Sequence, residues 1–115
     1  MSSPAHPRFV IEAQGPVINA HFEGQNIILG EEAATEAVEE LSKLAGATVV
    51  LNLAGVIYLD SAALGKFVLL QKNLRVAGGR LVLCGLSPAV YDRFAHTRLD
   101  QHFDIRPGES PAAPG

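Results

Sequence analysis

Tryptophan is absent from the 115-residue chain, and it has a single cysteine, a single methionine, two tyrosines and five phenylalanines. One cysteine, Cys84, excludes an internal disulfide, which points to a reducing compartment. Few aromatics leave the core to Leu, Val, Ile and Ala, and at 48% hydrophobic residues there is enough of them to fold one domain. Nine basic against twelve acidic residues give a formal charge of −3. That balance offers no basic patch for nucleic acid and is not acidic enough for a disordered chain. The most apolar stretch, 49–70, is broken by Asn52, Asp60 and Lys66. A spanning helix would bury two charges at about 2.5–3.5 kcal/mol each, so two shorter elements are expected instead of a membrane insertion. Met1 to Pro7 has no apolar run and does not read as a secretory leader. Cytoplasmic residence is the expectation. His6, His21, His96 and His102 show no metal-ligand spacing, and no Gly-rich phosphate loop or nucleophile–base pair is present. No cofactor, metal or enzymatic activity is expected.

Residues 1–7 and 106–115 are rich in Pro, Ser, Gly and Ala and are read as flexible tails around a domain at 8–105. Within the domain, 8–13, 17–22 and 27–29 read as short strands, an opening hairpin or meander at a sheet edge. From Glu31 to Ala45, apolar Ala34, Ala37, Val38, Leu41, Leu44 and Ala45 recur on one helical face, with five glutamates on the other. Gly46 stops this helix. The run 48–53 is almost wholly apolar, as in a strand covered on both faces. A break at Ala54-Gly55 leads to a short strand, 56–59. A second helix, 62–77, buries Ala63, Phe67, Leu70, Leu74 and Ala77 and ends at Gly78-Gly79. Strand 80–84 follows, then a helix capped by Ser87 with Pro88 in first position, running to about His96. Residues 103–105 form a last strand. This alternation predicts a single α/β domain, an open mixed sheet with helices packed against it.

Functional loops in such sheets lie at strand carboxyl ends, which singles out Asp60-Ser61. In its plain reading Ser61 is the N-cap of the second helix, a role Asp60 could share. The functional reading uses the same geometry, since a phosphate on Ser61 would add about −1.5 to −2 charges at a helix N-terminus. On that helix Leu64 and Val68 lie off the core face, which reads either as a helix broadly buried between the sheet and a neighbouring helix or as a candidate docking surface beside Ser61 with Lys66 and Lys72 at its rim. Cys84, within an apolar strand, reads as a small core residue.

The stretch Val49 to Gly65, with Leu59-Asp60-Ser61-Ala62-Ala63-Leu64-Gly65 opening a helix, resembles the signature of STAS domains, the anti-sigma factor antagonist family. Gly78-Gly79-Arg80-Leu81-Val82-Leu83 is similar to the family's next turn and strand, and Phe103-Asp104-Ile105 to its usual ending. Ala62, Ala63 and Asn52 stand where the family pattern has a second hydroxyl, a glycine and an acid. The resemblance implies a STAS fold and a partner-switching role in sigma-factor-dependent transcription. The unphosphorylated chain would bind an anti-sigma factor that is also a serine kinase. Phosphorylation of Ser61 would break the complex, and a serine phosphatase would restore it. Ser61 would be the phosphoacceptor and Asp60 the adjacent motif acid. The alternative, motivated by Ala62, Ala63 and Asn52, is a phosphorylation-independent scaffold or a transporter-associated subunit.

Overall fold

The computed structural model describes residues 8–106 other than Ala45. The tails expected at 1–7 and 107–115 lie outside the described residues. The chain runs β1 (Phe9–Gln14), β2 (Val17–Phe22), β3 (Ile27–Leu29), α1 (Glu31–Ser42), β4 (Thr48–Asn52), β5 (Val56–Leu59), α2 (Ser61–Val76), β6 (Arg80–Cys84), α3 (Pro88–His96) and β7 (Asp104–Arg106). A single turn of 3₁₀-helix, Leu99–Gln101, precedes β7.

Five strands form one sheet in the order β1-β2-β4-β6-β7. The hairpin β1–β2 is antiparallel and all other neighbours are parallel, so the sheet is mixed and open. The opening is not a meander, because β3 leaves this sheet and pairs in parallel with β5 as a separate two-stranded ribbon. The strand carrying the chain to Asp60 is therefore part of that ribbon and not of the main sheet.

Alternation along the strands divides the side chains between two faces. Ile18, Ala20, Phe22, Val49, Leu51, Leu81 and Leu83 point into the main core, where Ala37, Leu41, Phe67, Leu70, Leu74, Val90 and Phe94 of the three helices meet them. Val50, Val82 and Cys84 form a small second cluster on the opposite face, joined among the described residues by partly buried Val17 and by no residue of a helix. The apolar run in β4 is thus buried on both faces as the sequence indicates, but the helices cover only one. Cys84 is a fully buried free thiol.

Glycines fix several junctions. Gly78 (φ +89°) and Gly79 close α2 by donating to the carbonyls of Arg75 (3.0 Å) and Leu74 (2.8 Å), a Schellman ending. A Cβ on Gly79 would collide with the Ala47 carbonyl, so the turn packs directly on the entry to β4. Between β4 and β5, Gly55 adopts φ +90° and faces the Gly24 carbonyl with no room for a side chain. Asn52 Oδ1 accepts from Ala54 N at 2.8 Å, and a Cβ on Gly85 would meet the same oxygen. These contacts pin the β4–β5 connection from both sides.

Some boundaries differ from the sequence reading. The first helix ends at Ser42 rather than 45. Leu44 stays partly buried against the core from a turn, its N–H donating to the Leu41 carbonyl at 3.0 Å, which prolongs the apolar period beyond the helix. Ala77 is exposed at the C-cap of α2. Arg106 belongs to β7, not to a tail. It pairs in register with Cys84, and its guanidinium grips Asp104 at 2.7 and 3.1 Å.

Candidate functional site: the Asp60-Ser61 turn

Parallel pairing of β3 with β5 sets Leu29 opposite Leu59, so the two strands end side by side. Each is followed at once by a helix: Gly30 is the N-cap of α1 and Asp60 the N-cap of α2. The Asp60 N–H donates to the Leu29 carbonyl (3.2 Å), and the Asp60 carbonyl accepts from Leu64 N (3.0 Å) as the first bond of α2.

The cap is the Asp60 carboxylate, which corrects the plain reading of Ser61. Oδ1 accepts from Ala63 N at 2.8 Å. Oδ2 lies beside Gly30, 3.6 Å from where a Cβ of that residue would stand. One carboxylate therefore sits at the N-termini of two helices, where both dipoles favour negative charge. Gly30 brings no side-chain cap of its own. Ser61 is the first residue of α2 and is exposed. Its hydroxyl is not used to hold the helix.

The other residues singled out from sequence separate into two groups. Lys66 is half-buried, and Val68 and Lys72 are exposed on α2. Leu64, expected in the docking surface, is 4% exposed and packs in the main core. Residue 64 follows Ala63 into the groove between α2 and its neighbours, so its side chain is unavailable to a partner. Exposed apolar side chains on α2 are instead Val68 (39%), Leu69 (43%) and Val76 (81%).

Features not singled out from sequence surround the turn. Ladder register shifts between Ile27 and Ile28, so that Ile28 pairs with Tyr58 and Ile57 is the extra residue of a bulge. Two consecutive residues of β5, Ile57 and Tyr58, are exposed as a result, as is Ile28. From α3, Arg93 donates Nε–H to the Leu59 carbonyl at 3.1 Å and lays its guanidinium over the Tyr58 ring, 5.0 Å from the centroid. The unbroken Val56-Ile57-Tyr58-Leu59 run, where a half-buried strand would alternate, was the available signal for the bulge.

A wide-open groove of about 420 Å³ lies at the carboxyl ends of β2 and β4, lined by residues including His21, Glu23 and Asn52. Neither Asp60 nor Ser61 lines it. Among the described residues, no group of three or more His, Cys, Asp and Glu could hold a metal ion, and no helix is long and apolar enough to cross a membrane.

The STAS domain model matches residues 6–112. The chain belongs to the STAS family. Two curated relatives are the anti-sigma-B factor antagonists of Listeria monocytogenes and Listeria innocua, each 37% identical over 71 residues. That match covers 62% of this chain and spans 62% of the length of each relative. The fold is shared with a STAS domain protein of Planctomyces limnophilus (TM-score 0.74, 18% identity, 90% of this chain and 93% of that one). It is shared too with the anti-sigma factor antagonist SpoIIAA in its unphosphorylated form (TM-score 0.73, 18% identity, 92% of both chains). SpoIIAA, a Bacillus cell fate determinant, has also been solved phosphorylated (TM-score 0.66, 18% identity, 92% of this chain and 96% of that one).

Proposed function

We propose that this STAS chain is an anti-sigma factor antagonist, switched by phosphorylation of Ser61. Unphosphorylated, it binds an anti-sigma factor that is a serine kinase and so releases a sigma factor. The observation that carries this reading is the division of labour at the turn. Asp60 caps α2, and Ser61 stands exposed beside it with no structural duty. A phosphate there leaves the cap in place and changes the surface by about −1.5 to −2 charges. Asp60 and the exposed Glu31 and Glu32 in the first turn of α1 are already acidic. The added charge therefore turns a modestly negative surface into one that repels acidic partners. The listerial relatives support the reading by their names, and SpoIIAA by being known in both forms. In this reading Lys66, Val68 and Lys72 of α2 contribute to the partner contact, and a serine phosphatase resets the switch.

The test is incubation of the chain with the ATP-binding anti-sigma factor of the same genome and ATP, followed by mapping of the phosphosite. Phosphate on Ser61 is the expected result, with binding lost in Ser61→Glu. Phosphate elsewhere, or none together with full binding by Ser61→Glu, overturns the proposal. Stable co-purification of the Ser61→Glu form with a membrane ATPase complex would favour the phosphorylation-independent scaffold.

A further inference from the structure

Ile28, Ile57 and Tyr58 are 64%, 45% and 44% exposed, and the ribbon ladder brings them together immediately before the Asp60-Ser61 turn. A regular four-residue strand would send Ile57 and Tyr58 to opposite faces. The bulge turns both to solvent while Val56 and Leu59 on either side stay buried at 1% and 0% exposure. Large apolar side chains clustered in this way mark an interaction surface more often than single exposed ones do.

Arg93 says what kind of partner fits. Its guanidinium is held by the Leu59 carbonyl and the Tyr58 ring, so little side-chain freedom remains to be lost on binding. No described carboxylate pairs with it, whereas Arg80 and Arg106 share Asp104. Along α2, Lys66, Lys72 and Arg75 add positive charge, and α2 itself contains no Asp or Glu. An acidic group on a bound partner would complement this charge.

We infer that the β3–β5 bulge is the anchoring half of the partner interface, with Ile28, Ile57 and Tyr58 receiving an apolar patch and Arg93 receiving a carboxylate from the bound protein. This rests on the anti-sigma factor antagonist reading. It adds to α2 an apolar contact on the ribbon that runs into the Asp60-Ser61 turn, and it explains how the switch acts. A phosphate on Ser61, three residues beyond Tyr58, repels the partner's carboxylate and competes with it for Arg93.

The experiment is a calorimetric titration of the full chain with the purified ATP-binding anti-sigma factor of the same genome, in ADP. Ile28→Ser and Ile57→Ser each weaken binding by about tenfold or more, the loss seen when an anchor residue is truncated. Thermal unfolding of these exposed-site variants stays close to wild type. Val76→Ser, on a distant exposed apolar residue, binds as wild type does. Arg93→Gln weakens binding and flattens its dependence on salt, which a merely structural arginine would not do. Wild-type affinity in both isoleucine variants, with unaltered salt dependence in Arg93→Gln, overturns the inference and leaves the anti-sigma factor antagonist reading standing. Absence of binding by the wild-type chain overturns both.

Discussion

Replacing Asp60 with Ala removes an acceptor 2.8 Å from Ala63 N and frees the first turn of α2. Losing an N-cap of this type costs about 1 kcal/mol, within a range of about 0.5–2. The carboxylate also stands at the start of α1 beside Gly30, and a charge at a helix N-terminus contributes about 0.3–1 kcal/mol. Together these give about 1.5 kcal/mol for Asp60→Ala. For a domain of this size that lowers the unfolding midpoint by about 6–12 °C. In urea, with a slope of about 1–3 kcal/mol/M, the midpoint falls by about 0.5–1.5 M. Asp60→Asn keeps an oxygen for the cap and loses only the charge, so it costs about 0.5 kcal/mol. Ser61→Ala, at an exposed first-turn position, stays within about 0.5 kcal/mol of wild type. Equilibrium urea unfolding of the three variants measures all of this. If Ser61→Ala were as damaging as Asp60→Ala, Ser61 would be the cap, and its independence from the fold would be lost.

Other substitutions follow from the same structure. Gly55→Ala forces a Cβ into the Gly24 carbonyl at φ +90° and lowers stability by at least about 2 kcal/mol, measurable by the same denaturation. Phe94→Ala empties a fully buried site that packs edge-on against Phe103, centroids 5.4 Å apart, and costs about 3–5 kcal/mol, a large share of the roughly 5–15 kcal/mol that holds a domain folded, read by the same denaturation. The Arg106 guanidinium, with help from Arg80, holds the Asp104 carboxyl below its ordinary value of 3.8. A carboxyl with a lowered folded pKa stabilises above its unfolded pKa, and that contribution is lost as the pH falls through the folded one. The stability difference between wild type and Asp104→Asn is therefore constant above about pH 5 and shrinks as the pH drops below 3.8.

Much of this was legible in the residues. The α1 stripe of Ala34, Ala37, Val38 and Leu41 opposite glutamates marks a helix, and Ser87-Pro88 marks the start of α3, where Ser87 Oγ accepts from Val90 N at 3.2 Å. Local chemistry decides such features, so local sequence shows them. Pairing between distant strands is different. Ile27-Ile28-Leu29 is as apolar as a meander strand would be, and nothing in it says that its partner is β5 and not β2. That choice set the adjacency of Gly30 and Asp60. It also produced the bulge exposing Ile57 and Tyr58 and brought Arg93 to the Leu59 carbonyl. The Asp60-Ser61 turn was visible as a strand-to-helix junction with two capping candidates one residue apart. Only the geometry separates them, because Asp60 keeps extended backbone at φ −86°, ψ 177° while Ser61 has already entered the helix. For Leu64 the residues allowed both a broadly buried helix and a docking surface, and burial decides for the first: a helix packed against both a sheet and α1 buries a wider arc than a single-face period suggests.

The most direct test of the switch is the affinity of the purified anti-sigma factor for two forms of the chain, unphosphorylated and phosphorylated at Ser61, measured side by side by calorimetry. A phosphate of about −1.5 to −2 charges beside a docked carboxylate costs on the order of 1–4 kcal/mol at the separations of such an interface. Phosphorylation should therefore weaken binding by at least about fivefold while the unfolding temperature of the free chain changes little. Equal affinity of the two forms would contradict the switch at Ser61.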